Sequence, residues 1–432
     1  MGVSLQDGWL RLLFAALGLA SFAFLLIRPL RWWWIWVVPS VAVVSALGGY
    51  LVGEYVGPTI TDKPFEAMID VWIGVMIAAV LLAVGYLFKS RTWQKLLAVP
   101  AAILVVVAAA NQINSHFVQY PTLGDVFGVS SDQEIAGPPP VDPADPTTTP
   151  TLPPGPLTAN WKPAGSQLPS DGKGRTSEIA LPGTKSGFQA RPGVVYYPPA
   201  YFADNPEPLP VLILMAGQPG NPGDFFLGDR VQNIMNDFAA QHSGIAPVVV
   251  VPDPLSAETG NPLCADAWEG KADTYLSQDV PDGIKKQIRV NPDTKQWVIG
   301  GWSAGGTCAF MQATNHPDIY PNFIDISGEY EPSLGTHEET VSKGFGGDEA
   351  KFRAVNPVDL LAKNKYPGSA GWFIWGSTES DVDVKRLIPL ATAAGMQIQQ
   401  YESEGNGHDW ATVVAGLTQA MPWMATKMNL TA

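Results

Sequence analysis

A chain of 432 residues, 46% hydrophobic and only 15% charged, is too long for one ordinary domain and too poor in charge for an ordinary water-facing surface. A formal net charge of −14 at pH 7 argues against nucleic acid as a partner, because a phosphate backbone would be repelled. The two cysteines, Cys264 and Cys308, make no C-x-x-C spacing and so support neither a zinc ribbon nor a dithiol redox motif. Cys308 is expected in a helix core, and whether the two are bonded stays open.

Four apolar stretches open the chain: Trp9–Ile27, Trp32–Gly53, Ala67–Phe88 and Leu96–Ile113. Each is long enough to cross roughly 30 Å of hydrocarbon as a helix. The first has no basic segment before it and three more follow, so a cleaved signal peptide is not expected. "RPLR" (Arg28–Arg31) and "KSRTWQK" (Lys89–Lys95) are short and basic, which assigns both loops to the cytoplasm. The loop with Glu54, Asp62, Lys63 and Glu66 then faces outside, as do both ends of the four-span segment. "RWWWIW" (Arg31–Trp36) fits an aromatic belt at the inner interface. Asp70, near the start of the third span, is read as a boundary residue, with a polar contact inside the bundle as the other option.

The domain plan is a four-span transmembrane domain over residues 1–115, a Pro/Thr-rich extracytoplasmic linker over 116–160, and a catalytic domain over 161–432. "DQEIAGPPPVDPADPTTTPTLPPGP" (Asp132–Pro156) cannot bury a core, and its prolines favour an extended stalk. Beyond it, short β-like runs alternate with helical stretches. Ser177–Gly183 and Gly193–Pro199 are expected to pair antiparallel. Pro210–Gly217, Pro247–Asp253, Gln296–Gly301, Asn322–Gly328, Gly371–Ser377 and Gln397–Ser403 are expected to form a mostly parallel sheet. Crossover helices fit Asp229–His242, Tyr275–Val290 and Val382–Ala394. The fold class is therefore a three-layer α/β domain behind a four-helix membrane domain.

The stretch "VIGGWSAGGTCAF" (Val298–Phe310) carries the chemistry. Gly301-Trp302-Ser303-Ala304-Gly305 matches G-x-S-x-G between an apolar strand and a helix, the nucleophile elbow of α/β-hydrolases. Glycines on both sides remove the side chains that so sharp a turn would crowd. A serine needs a base, and this fold supplies it late in the chain. Of five histidines, His116 sits past the last span, His242 near a helix end, and His316 after the elbow helix. His337 lies in an irregular acidic stretch and could touch substrate. His408, in "EGNGHDW", follows the last β-run and is the expected base. "WFIWGSTESDVD" offers Glu379, Asp381 and Asp383 as the acid; Glu379 is preferred, with Asp381 the runner-up. The oxyanion hole is assigned to the N–H groups of Ala304 and Gln218, with Gly217 in second place.

These segments resemble the putative-esterase family of α/β-hydrolases, which includes esterase-D-like enzymes and the actinobacterial mycolyltransferases. The resemblance rests on "GVVYYPPAYF", "LILMAGQPGNPGDFF", "VVVVPD", "TYLSQDVPDGIKKQI", "WVIGGWSAGGTCAFMQATNHPDIYPNFIDISGEY", "GFGGDEAKFRAVNPVDLL" and "GNGHDWATV", in that order. It implies Ser303 as nucleophile, His408 as base and Glu379 as acid. The spans and stalk resemble multi-span envelope esterases of actinobacteria. The chain departs from the mycolyltransferases in lacking their secreted architecture and their closely spaced cysteines.

The expected reaction is a two-step acyl transfer with no metal or organic cofactor. The expected substrate is an ester of a lipid or cell-envelope component. The acidic stretch Glu329–Arg353 should border the pocket and would suit a cationic group, as on aminoacyl-phosphatidylglycerol, or simply form an exposed flap. An acyltransferase acting on an envelope sugar or lipid, and a non-catalytic envelope-binding protein, are the alternatives.

Overall fold

The computed structural model describes residues 3–6, 8–58, 65–88, 90–127, 155–165, 168–204, 206–379 and 382–432. The chain divides into two compact units, Met1–Ser131 and Asp132–Ala432. Most of the Pro/Thr-rich stretch falls outside the described residues.

The first unit holds four helices long and apolar enough to cross a membrane: α1 (Trp9–Leu26), α2 (Trp33–Tyr55), α3 (Ala67–Gly85) and α4 (Thr92–Phe117). α2 begins with a widened π-helical turn, Trp33–Val37. Pro39 has no N–H to donate to the preceding turn, and such a widened turn can absorb the mismatch. The helices approach through small residues. Gly18 lies against Ala108, and a Cβ at Gly49 would overlap the Asp70 carbonyl. Ser45, Gly49 and Gly53, spaced by four, share one face of α2 and let α3 come close. Asp70 packs directly over Gly53, so it is a polar group inside the bundle and not merely a boundary residue. Leu5 N–H donates to Pro121 O (2.8 Å) and Leu123 N–H to Val3 O (2.9 Å), which brings the two ends of the unit together.

The tryptophan run divides its labour. Trp34 and Trp36 are exposed, but Trp33 is fully buried, edge-on to Tyr86. The Arg28 guanidinium sits 4.5 Å from the Trp33 ring and 4.6 Å from the Tyr86 ring, and donates to Ser90 Oγ at 2.7 Å. One ring of the expected belt is therefore a clamp on an arginine.

The second unit is built on β1 (Arg175–Ile179), β2 (Gly193–Tyr197), β3 (Val211–Met215), β4 (Val248–Val251), β5 (Asp266–Ala267), β6 (Gly270–Lys271), β7 (Val298–Trp302), β8 (Asn322–Ile326), β9 (Ala370–Gly376) and β10 (Gln397–Ser403). β5 and β6 make a separate hairpin; the other eight form one sheet in the order β1-β2-β4-β3-β7-β8-β9-β10. β1–β2 and β2–β4 are antiparallel and the remaining pairs parallel. The central strands are apolar on both faces because helices cover both sides. β10 closes the sheet with polar residues because it is an edge.

The helices used below are α5 (Arg230–Gln241), α6 (Val280–Gln287), α7 (Ala304–Asn315), α8 (His337–Phe345), α9 (Glu349–Val355), α10 (Pro357–Lys363), α11 (Val384–Ala393) and α12 (Trp410–Lys427). Two findings depart from the sequence reading. The stretch around His337 is not irregular: Thr336 caps α8 and Asp348 caps α9 through side-chain oxygens, so part of its acidity is spent on helix N-termini. Residues Leu157–Asn160, expected in the linker, form a helical turn in which Leu157 N–H donates to Asn429 O (2.9 Å).

Candidate active site

β3 lies between β4 and β7 in the sheet. The chain leaves β3 toward one side and later returns to its other side as β7, so the loops after these two strands diverge from one point. In open α/β sheets that point, beyond the carboxyl ends of the strands, is where ligands bind. The loop after β3 begins with Ala216 and Gly217, and the turn after β7 is Ser303.

Ser303 has φ 57° and ψ −124°, a strained conformation for a residue with a side chain. Its N–H donates to Ile326 O (2.8 Å), which pins it to β8. Both flanking glycines are sterically required. A Cβ at Gly301 would overlap the Gly305 carbonyl, and one at Gly305 would overlap the Met215 carbonyl oxygen. Helix α7 can then start directly at Ala304, whose N–H is one of the helix's unpaired donors. A Cβ at Gly217 would lie 3.0 Å from Ser303 Cβ and 3.6 Å from its Oγ, so the loop after β3 runs along the serine.

His408 and Glu379 meet. Nδ1 of His408 lies 2.7 Å from Glu379 Oε1. The other carboxylate oxygen accepts from Ser327 Oγ (2.8 Å) and from Gly376 N–H (3.1 Å). Burial alone would raise the Glu379 pKa. The hydrogen bond and charge of His408, with the bonds from Ser327 and Gly376, outweigh it and hold the carboxyl below its ordinary value. The imidazole rests on the Trp302 ring at 5.3 Å between centroids, and Trp302 is backed by Trp410 at 4.7 Å. The residue before the serine thus carries the histidine ring.

The other candidates are engaged elsewhere. Asp381 lies outside the described residues. Asp383 accepts from Tyr330 N–H (3.2 Å) and Arg386 Nη1 (3.2 Å). His316 bonds Asp273 at 2.8 Å, His242 bonds Phe238 O at 2.7 Å, and His116 bonds Glu66 at 3.0 Å. His337 sits between Glu331 (3.0 Å) and Glu349 (3.2 Å), and these carboxylates raise its pKa, Glu331 first. Gln218 lies in the loop after β3, and its side chain donates to Thr259 O (3.0 Å).

Three contributors escape a reading by motif. Ser327 supports the carboxylate of Glu379. Arg191 ties the loop after β3 to Asp253, donating to Gly220 O at 2.9 Å and to Asp253 Oδ1 at 2.8 Å. Asp325, on β8 beside Gly301, is fully buried; Oδ1 accepts from Gly328 N–H (2.9 Å) and Oδ2 has no partner among the described residues. Burial, with the nearby Glu379 charge adding to it against the Gly328 bond, pushes its pKa up to about 8. An acid inside the apolar run "NFIDIS" was the available signal. The cysteines, left open by spacing alone, are joined: Cys264 and Cys308 form a disulfide with a Cα–Cα separation of 5.4 Å.

A family model described as "Putative esterase" matches residues 187–424. The chain belongs to this family. The esterase is also 35% identical to an uncharacterized protein of Corynebacterium glutamicum over 410 residues, covering 93% of this chain and 91% of that one. An S-formylglutathione hydrolase from Agrobacterium tumefaciens shares its fold at 17% identity and a TM-score of 0.50, covering 60% of this chain and 96% of that one. A ferulic acid esterase structure matches at 18% identity and a TM-score of 0.48, covering 60% of this chain and all of the other. The family makes the chain a serine hydrolase of the carboxylic ester hydrolase class, with an α/β-hydrolase fold behind four helices able to cross a membrane.

Proposed function

We propose that this esterase is anchored in the membrane with its α/β unit on the extracytoplasmic side, and that it hydrolyses a lipid or envelope ester through Ser303, His408 and Glu379. The observation that carries the reading is the Glu379–His408 pair resting on Trp302, the neighbour of the strained Ser303. In the first step His408 Nε2 takes the Ser303 proton as Oγ attacks the ester carbonyl. Glu379 holds the proton on Nδ1 and stabilises the imidazolium. The oxyanion is received by the N–H groups of Ala304 and Gln218, each worth roughly 10²–10³ in rate. His408 then protonates the leaving alkoxide, and water, deprotonated by the same ring, releases the acyl group.

Two features support the placement. The basic loops Arg28–Arg31 and Lys89–Lys95 favour the cytoplasm, and a disulfide persists best in an oxidising compartment. The substrate reading rests on the chain after β8. Glu329 N–H donates to Thr307 Oγ1 (2.8 Å), which fixes Glu329 beside the elbow helix. Glu331 follows it. A carboxylate there suits an ammonium group, so an aminoacyl ester of phosphatidylglycerol is the proposed substrate class.

The test uses the full chain in nanodiscs with alanyl-phosphatidylglycerol and unmodified phosphatidylglycerol. The expected result is free alanine from the first, little change in the second, and loss of both turnover and fluorophosphonate labelling in Ser303→Ala. Alanine transferred to an added sugar or lipid hydroxyl identifies an acyltransferase. An unlabelled, inactive wild type overturns the catalytic reading.

A further inference from the structure

The oxyanion hole has two donors on two separate segments: Ala304 opens α7, and Gln218 lies in the loop after β3. Their spacing has to hold within a fraction of an ångström for both to reach one oxygen. The segment after β4, residues 252–265, touches both carriers. Glu258 O accepts from Gly220 N–H (2.9 Å), and Thr259 O accepts from Gln218 Nε2 (3.0 Å). Five residues beyond Thr259, Cys264 is bonded to Cys308. Cys308 lies four residues after Ala304, one turn along the same helix.

The segment would not hold this path unaided. Ser256, Leu263 and Cys264 have φ of 66°, 59° and 48°, in the left-handed region that side chains disfavour. Asn261 braces it locally, accepting from Leu263 N–H (3.1 Å) and donating to Ser333 O (3.0 Å). Cys308 is fully buried and Cys264 nearly so.

We infer that the Cys264–Cys308 disulfide is a positioning element for catalysis: it ties the helix bearing one oxyanion donor to the segment that holds the loop bearing the other. This rests on the serine mechanism proposed above. Cys264 and Cys308 touch no reacting atom; they act through Thr259 and Glu258 on Gln218 and Gly220. A bond serving stability alone would lower the melting temperature without selectively weakening the transition state.

The test compares wild type with the Cys264→Ala/Cys308→Ala double variant in the full chain, at a temperature where both are folded. The expected result is a 10–100-fold lower kcat with KM within about 2-fold, and an equal loss of affinity for a boronate that mimics the tetrahedral intermediate. A non-hydrolysable ether analogue should bind as before. Unchanged kcat, or parallel losses for boronate and ether, overturns the proposal. Gln218→Met removes the side-chain bond to Thr259 while leaving the disulfide intact, and should lower kcat about 3–10-fold at constant KM. Combined with the cysteine changes, its effect should be less than additive. If the double variant does not fold, an unchanged kcat in Gln218→Met overturns the proposal alone. Activity retained in Ser303→Ala removes the serine mechanism and the inference together; activity lost there but intact in the disulfide variant removes only the inference.

Discussion

The two units are packed inside out with respect to each other. In the helical unit many of the large side chains point outward: Leu12, Leu19, Trp36 and Leu96 are each 70% exposed or more. Its closest helix contacts run through Gly18, Ser45, Gly49, Gly53, Gly74 and a row of alanines, beside a cluster in which Leu25, Trp33, Leu82 and Tyr86 are buried. In the α/β unit the largest side chains are inside, with Trp297, Trp410, Tyr196 and Phe323 fully buried. The difference is the one that two different solvents would select. A water-facing fold gains by hiding apolar area. Helices surrounded by hydrocarbon would gain nothing by that and would associate through close backbone contact. Around the elbow the α/β unit adopts the other unit's device. Gly217, Gly301, Gly305 and Gly306 bring the chain close around Ser303, and there the closeness sets the geometry of the serine proposed as nucleophile.

The largest test of that contrast is chemical. Glu379→Gln should lower kcat by about 10³–10⁴ and lower the melting temperature by a few degrees near neutrality, because the imidazole loses its charge partner and its fixed tautomer; steady-state kinetics and thermal unfolding check it. Its pH signature has a defined sign. The folded Glu379 pKa is depressed, so its stabilisation is present above the ordinary carboxylate pKa and is lost as pH falls through the lowered value. The Gln variant should therefore show a flatter acid limb in melting temperature against pH.

Next come the glycines. Gly305→Ala should lower esterase activity at least 100-fold and the melting temperature by several degrees, since the new methyl meets the Met215 carbonyl. Gly49→Leu should lower the unfolding temperature of the helical unit in detergent by several degrees, with turnover of a soluble ester kept within about 2-fold. A loss of turnover as large as that of Gly305→Ala would show that the two kinds of close packing are not separable in function.

Asp325→Asn should have a smaller effect. A carboxyl whose folded pKa is raised binds its proton more tightly in the native state. Stability then falls as pH rises from the ordinary carboxylate range toward about 8 and levels off beyond it. The Asn variant should gain several degrees in melting temperature at pH 8–9 and nothing near pH 4. A gain that is the same at every pH contradicts this. The smallest effect belongs to the water-facing rim. The His337 pKa is raised, so its bonds to Glu331 and Glu349 stabilise below its ordinary pKa and fade as pH rises through the folded value. His337→Gln should lower the melting temperature by about 1–2 °C at pH 5.5 and not measurably at pH 9.

Much of this was legible in order along the chain. The four spans, the eight strands of the main sheet and the elbow announce themselves by runs of apolar residues and by glycine spacing, which are local signals. Glu379 could be preferred over Asp381 and Asp383 only by its place after a strand; geometry then paired it with His408. Ser327 and Arg191 had no motif to mark them, because what each does depends on a partner 29 to 62 residues away; Asp325 was marked only by its place inside an apolar run, and its contact with Gly328 belongs to the folded chain.

By itself the sequence determined which segments are apolar enough for a membrane, where the sheet strands fall, and that a serine stands on a glycine-flanked turn. Periodicity and steric allowance are properties of neighbours in the chain. Only the tertiary structure decided that Glu379 faces His408 over Trp302, that Asp70 enters the helical bundle, and that Cys264 reaches Cys308. Those contacts join residues far apart in sequence, and their energies come from burial and directed bonds that exist only once the strands have taken their order in the sheet and the helices have packed.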